Sequence, residues 1–184
     1  MHTGLIRVAA IHNLSLATAF GGLVFAKVAL RPSVMKDVAP TERVKLMEDV
    51  WTKFNKVNVP AHLLFTGTWL IERKAIKRYF MDKHTSKLVA VKDVLIAGAL
   101  ITGVANVIAG EMLKRQLPAG TNVEKLGTTD PAKAATLARY VGFFKVMGPL
   151  NLALIGASIA IGPRLAASII AHNRKGLLGR LFAR

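Results

Sequence analysis

The chain has 184 residues, about the length of one domain, and combines 52% hydrophobic residues with a formal net charge of +16 and no cysteine. The missing cysteine excludes disulfides, thiolate-bound zinc, iron–sulfur clusters and thiol catalysis. High apolar content and strong basicity fit together when the charge is confined to loops and ends. The Lys and Arg flank apolar spans and form no DNA- or RNA-binding motif, so no nucleic-acid partner is expected.

The first span covers residues 8–30, VAAIHNLSLATAFGGLVFAKVAL, where Lys27 is the only charge. About 20 apolar residues cross a hydrocarbon core of about 30 Å. No small-x-small cleavage site closes this run, so it reads as a retained anchor. In the loop that follows, Val44, Met47, Val50, Trp51, Phe54 and Val57 recur at helical spacing opposite a charged face. That pattern predicts a short interfacial helix over 41–56, with Trp51 at headgroup level.

The second span covers residues 57–79 and is the least apolar, with Asn58, Pro60 and His62 at its start and a basic end. The third covers residues 93–113, with Ser86 as a possible cap upstream and Leu117-Pro118-Ala119-Gly120 as its stop. The fourth covers residues 139–161. Its helix starts at Asp130-Pro131, an N-cap followed by proline at the first helical position. Pro149 should kink it. Small residues at Gly21-Gly22, Ala99 and Gly103, and Gly156 and Ala160 suit close helix contact.

The expected fold is therefore all-α: one domain over residues 1–184, an integral membrane four-helix up-down bundle with the interfacial helix in its first loop. The side holding the 72–92 segment and both tails is richer in Lys and Arg and poorer in acids. This places both termini on the cytoplasmic side of a bacterial inner membrane, or the matrix side of a mitochondrial one. Basic residues beside the spans suit anionic lipids as partners.

Ionisable groups inside a span are costly and mark candidate sites. His12 comes out roughly 7 Å deep from the inner surface, at about 1.5 Å of rise per residue. His62 lies at similar depth from the outer surface, so the two differ in level by roughly 15 Å. That gap argues against one haem clamped between them, while each stays a candidate cofactor ligand. Lys27, Asn106, Glu111 and Lys145 gather by depth in the outer half. Glu111 and Lys145 sit at one level on consecutive antiparallel helices, which predicts an ion pair and a structural polar cluster. His2, His84 and His172 show no metal-ligand spacing.

No phosphate loop, nucleophile elbow or paired-carboxylate set is present, so no hydrolytic or phosphoryl-transfer apparatus is visible. The order His12, Gly21-Gly22, Phe25, Arg31-Pro32 resembles the first helix of small four-helix membrane proteins. These include the copper-resistance-D-like proteins and the haem-binding membrane type of protoporphyrinogen oxidase. The resemblance covers about 25 residues. It implies haem ligation by the first-helix histidine, here His12, and a role for a lysine in a later helix. Two readings follow. One is a non-enzymatic subunit that scaffolds or anchors a larger complex of membrane-protein subunits. The other is a haem- or metal-binding membrane redox protein.

Overall fold

The computed structural model describes residues 2–80, 82–117, 121–122 and 125–182, the side chains at 2, 3, 5 and 172–182 excepted. The described residues are helical with short connections and contain no strand. Helix α1 (His2–Phe25) passes through a π-helical turn, Ala26–Leu30, into α2 (Arg31–Asp37). Phe25 and Arg31 are both right-handed helical, so the rod is continuous through both junctions. The wide turn directly precedes Arg31-Pro32, where a proline ring would crowd the turn before it in a regular α-helix.

Residues predicted as a separate interfacial helix and a second span form one element, α3 (Pro40–Tyr79). Nothing in KLMEDVWTKFNKVNVP breaks a helix except Pro60, and the helix continues through it. Helix α4 (Lys83–Gln116) begins ten residues before the expected span. Its N-cap is Asp82, not Ser86, because the Asp82 carboxylate accepts from Thr85 N–H at 2.6 Å. Leu117 leaves the helix with extended backbone. The rest of the expected stop, Pro118 to Gly120, lies outside the described residues.

A single turn, α5 (Leu126–Thr129), leads to α6 (Pro131–Phe182). Helix α6 starts where the sequence places it. The Asp130 carboxylate accepts from Lys133 N–H at 3.0 Å, and that bond holds the carboxyl below its usual range. It then runs past the expected end, through Pro149 and Pro163. Each proline removes one backbone bond, but apolar residues on both sides favour keeping all other bonds inside the helix.

The four long helices pack in a ring: α1 on α3, α3 on α4, α4 on α6, and α6 back on α1. Contacts fix the register. Gly22 meets Phe54, and His12 meets Phe65. Glu48 pairs with Lys114, and Arg73 pairs with Asp93. Thr85 meets Ser168, and Gly103 meets Asn151. As residue number rises along one helix of these three pairs, it falls along the other. The core between them holds Leu16, Ala19, Phe65, Trp69, Ile96 and Ile155, all buried.

The outward faces are apolar. Val28, Val94 and Ile101 are 69%, 70% and 68% exposed, which suits lipid rather than water. Three stretches are long and apolar enough to cross a membrane: Ile6–Asp37, Lys83–Gln116 and Pro131–Ala171. This supports an integral membrane protein. Helix α3 is not among them. Its uncharged run, 57–71, carries Asn58, His62, Thr66 and Thr68, and three of these four are buried toward the other helices.

Of the small residues expected at contacts, Gly22, Ala99, Gly103 and Gly156 lie at them, whereas Gly21 and Ala160 face outward. A Cβ at Gly22 would strike the Phe54 ring. Gly22→Ala should therefore cost about 1–3 kcal/mol, read as a lower midpoint in detergent-titrated unfolding. Adding Phe54→Leu should recover part of the loss. An equal loss with and without that second change would show that the contact is not what limits the site.

Candidate functional site

Helix α1 presents His12 to α3 one turn before Trp69, and the imidazole is 1% exposed. Its Nδ1 lies 2.9 Å from Phe65 O and 3.2 Å from Thr68 Oγ1. The Thr68 hydroxyl donates to Leu64 O at 2.6 Å. A carbonyl accepts only, so Nδ1 carries the proton and donates to Phe65 O. The opposite nitrogen, Nε2, is then a bare lone pair, buried and without a partner. A histidine that donates one N–H to a backbone carbonyl and offers its other nitrogen is arranged as metal-ligating histidines are.

Trp69 links this imidazole to charge. Its ring centroid is 6.1 Å from that of His12. The Lys92 ammonium, in a residue 3% exposed, sits 4.4 Å from the same tryptophan ring. An ammonium over an indole face gains about 2 kcal/mol or more once desolvated. Trp69 Nε1 donates to Asp93 Oδ1 at 2.9 Å, and Arg73 Nε donates to Asp93 Oδ2 at 2.7 Å. Glu72, on α3 beside Arg73, has its Oε1 buried without a hydrogen bond. A histidine, a tryptophan, a lysine and a carboxylate from three helices thus share one packed region.

His62 forms a second, separate centre. It is 5% exposed, and its Nδ1 donates to Asn58 O at 2.9 Å. Its Nε2 also lacks a partner. The ring packs 5.0 Å from Phe65 and lies over Gly103, where a Cβ would come within 2.8 Å of Nε2 and 3.1 Å of Asn151 Nδ2. Both histidines therefore touch Phe65, yet they do not face each other. His12 turns to Trp69 and Lys92, whereas His62 turns to α4 and α6. Their anchor points on α3 differ by three to six residues, about 5–9 Å of rise, less than the depth count from sequence.

The outer polar cluster is not assembled. Lys27, Glu111 and Lys145 are all exposed, and among the described residues no ion pair joins Glu111 to Lys145. Asn106 does reach across, donating from Nδ2 to Met147 O at 3.4 Å. The matching of Glu111 and Lys145 used depth and ignored rotation, which is about 100° per residue in a helix of 3.6 residues per turn. The inward stripe of α4 is Thr85, Val89, Lys92, Ile96, Ala99 and Gly103. Glu111 falls off that stripe.

A span that begins at residue 93 leaves Lys92 among the loop charges, whereas α4 begins at Lys83 and buries it. Its spacing from Val89 and Ile96 puts it on the buried face. Asn58 and Asn151, 7% and 2% exposed, likewise face inward with Oδ1 unpartnered. No family model, curated protein or solved structure matches the chain.

Two predictions follow from this geometry. Glu111→Gln and Lys145→Met should have additive effects on unfolding within about 0.5 kcal/mol; coupling beyond that in a double-mutant cycle contradicts the separation. Lys92→Met should cost about 2 kcal/mol by removing the buried ammonium from the Trp69 face, read as a lower unfolding midpoint. Lys92→Arg, which keeps a cation at the ring, should recover part of the loss. A Lys92→Met midpoint equal to that of the wild type would contradict the cation–indole contact.

Proposed function

We propose that the protein is an integral membrane four-helix up-down bundle that binds haem through His12 Nε2 and serves in membrane redox chemistry. The observation that carries this is the bare, buried Nε2 of an imidazole whose proton is fixed on the other nitrogen. Helix-to-helix bonding alone explains Nδ1 and leaves Nε2 at an unmet desolvation cost. Among the described residues no group of three or more His, Asp or Glu stands together to cage a metal ion. Haem brings four ligand nitrogens of its own and asks the protein for one or two more.

In this reading the helix ring and its alternating register support the up-down bundle, and α3 crosses with its polar residues shielded by α1, α4 and α6. Bound haem supplies one-electron chemistry. Phe65 O orients the imidazole and raises its basicity as a ligand. Lys92 sets a positive charge beside the site, held over the Trp69 face. Basic ends on the side of both termini suit a cytoplasmic surface and anionic lipids.

A second reading rests on the outward faces. Apolar residues such as Val28, Val94 and Ile101 offer surface that neighbouring subunits can cover as readily as lipid. That favours a non-enzymatic subunit anchoring a larger complex. A pyridine haemochrome and metal assay on purified wild type and His12→Ala separates the two. Haem near one per chain, lost in the variant, is the expected result. No chromophore, with stoichiometric co-purifying subunits, overturns the haem reading in favour of the anchor.

A further inference from the structure

A cavity of about 570 Å³ opens at the end of the bundle where α3 gives way to α4. That volume suits a small-molecule site, for which roughly 300–1,000 Å³ is usual. Asp82, His84 and Leu88 line it at the start of α4, and Arg164, Ala167 and Ser168 are among the residues that line it from α6. The Thr85 and Ser168 hydroxyls bond across the two helices at 2.7 Å and set their relative level. This end of the bundle is at a membrane surface. Residues 146–163 carry no charge, and Arg164 is the first charge after them. At the end of α3, the Arg78 guanidinium lies 5.3 Å from the Tyr79 ring, a pairing of cation and aromatic ring suited to headgroup level.

The charges in this wall come in a definite order. Helices α4 and α6 run antiparallel, so the Thr85–Ser168 bond serves as a common mark. From it, Asp82 lies three residues toward the surface and Arg164 four residues toward the apolar interior. Those seven residues amount to about 10 Å of level, a gap that the long Arg164 side chain narrows by reaching toward water. Leu88, packed against the core, lies near the level of Arg164. Arg164 is exposed and makes no ion pair among the described residues. From interior to surface the wall therefore reads apolar, cation, anion.

We propose that this cavity holds the headgroup of a phospholipid that carries a primary amine, as an ethanolamine lipid does. Its acyl chains stay in lipid beside Leu88, its phosphate pairs with the Arg164 guanidinium, and its ammonium, which lies further out, donates to the Asp82 carboxylate. Chains, phosphate and ammonium follow one another in the lipid as their complements do in the wall. A glycerol headgroup brings the phosphate but no cation for Asp82. A choline headgroup brings both charges, but three methyl groups stand where Asp82 needs N–H donors. Asp82 also caps α4 through Thr85 N–H. A carboxylate accepts at about four positions, so capping does not exhaust it. The site stands independently of haem at His12.

The test titrates the purified full chain in detergent with dioleoyl phospholipids bearing ethanolamine, choline or glycerol headgroups, and reads bound lipid by native mass spectrometry. The ethanolamine lipid is expected to bind about ten-fold tighter than either other, the scale of one charge-assisted hydrogen bond. Asp82→Asn keeps a good N-cap and should bring the ethanolamine and choline lipids to equal affinity. Arg164→Gln should weaken all three lipids about ten-fold. Both variants are checked for a monodisperse, helical state. Equal binding of ethanolamine and choline lipids by the wild type overturns the proposal, whatever the variants do. Tighter binding of the glycerol lipid overturns it in favour of a plain anion site. An ethanolamine preference that survives Asp82→Asn belongs elsewhere on the chain and overturns this site. Soluble phosphoethanolamine in large excess should leave the bound lipid in place, and its displacement would overturn a lipid as the occupant.

Discussion

The bond from His12 Nδ1–H to the Phe65 carbonyl ties the first helix to the second long one and orders what surrounds it. In water such a bond is worth about 1 kcal/mol. Among lipid-packed helices its larger effect is specification. The imidazole needs a partner, and the matching carbonyl is found in one register of α1 on α3. With that register set, Gly22 meets Phe54 at one end and Trp69 lies beside His12 at the other. Trp69 in turn fixes α4 through Asp93 and Lys92.

The same bond has a chemical consequence. By taking the proton onto Nδ1 it strips Nε2, and the packing gives Nε2 nothing to bind. The pattern recurs at His62, where the carbonyl is that of its own helix one turn back. Two imidazoles in one tautomer, each with a bare nitrogen inside a helix bundle, are costly for a protein that needs only to pack. The buried ammonium of Lys92 adds to that cost. Groups kept at such expense are where membrane proteins hold cofactors, ions or protons.

Much of this was legible in the residues. The apolar runs located three membrane-length helices, Asp130-Pro131 located the start of α6, and His12 and His62 were singled out as candidate ligands. Helix ends were harder. Asp82 rather than Ser86 caps α4, and the helix carries Lys92 on its buried face ahead of the apolar run. Pro149 is expected to kink its helix, and α6 stays helical through it and through Pro163, as α3 does through Pro60. The Glu111–Lys145 pairing failed for a different reason. Depth along the axis was counted and the angle around it was not, and the angle decides which side chains meet. Counted from Ile96, Lys92 lies about 40° away on the buried face. The partner of His12 was beyond the sequence, because a backbone carbonyl carries no sequence signal.

The account stands on the tautomer of His12. Nitrogen-15 NMR of histidine-labelled protein in lipid, with His12→Gln to assign the signal, reads it directly. The account predicts a neutral His12 with its proton on Nδ1 and an unprotonated Nε2, whose signal moves when haem is added. A proton on Nε2, or a His12 signal indifferent to haem, would contradict it.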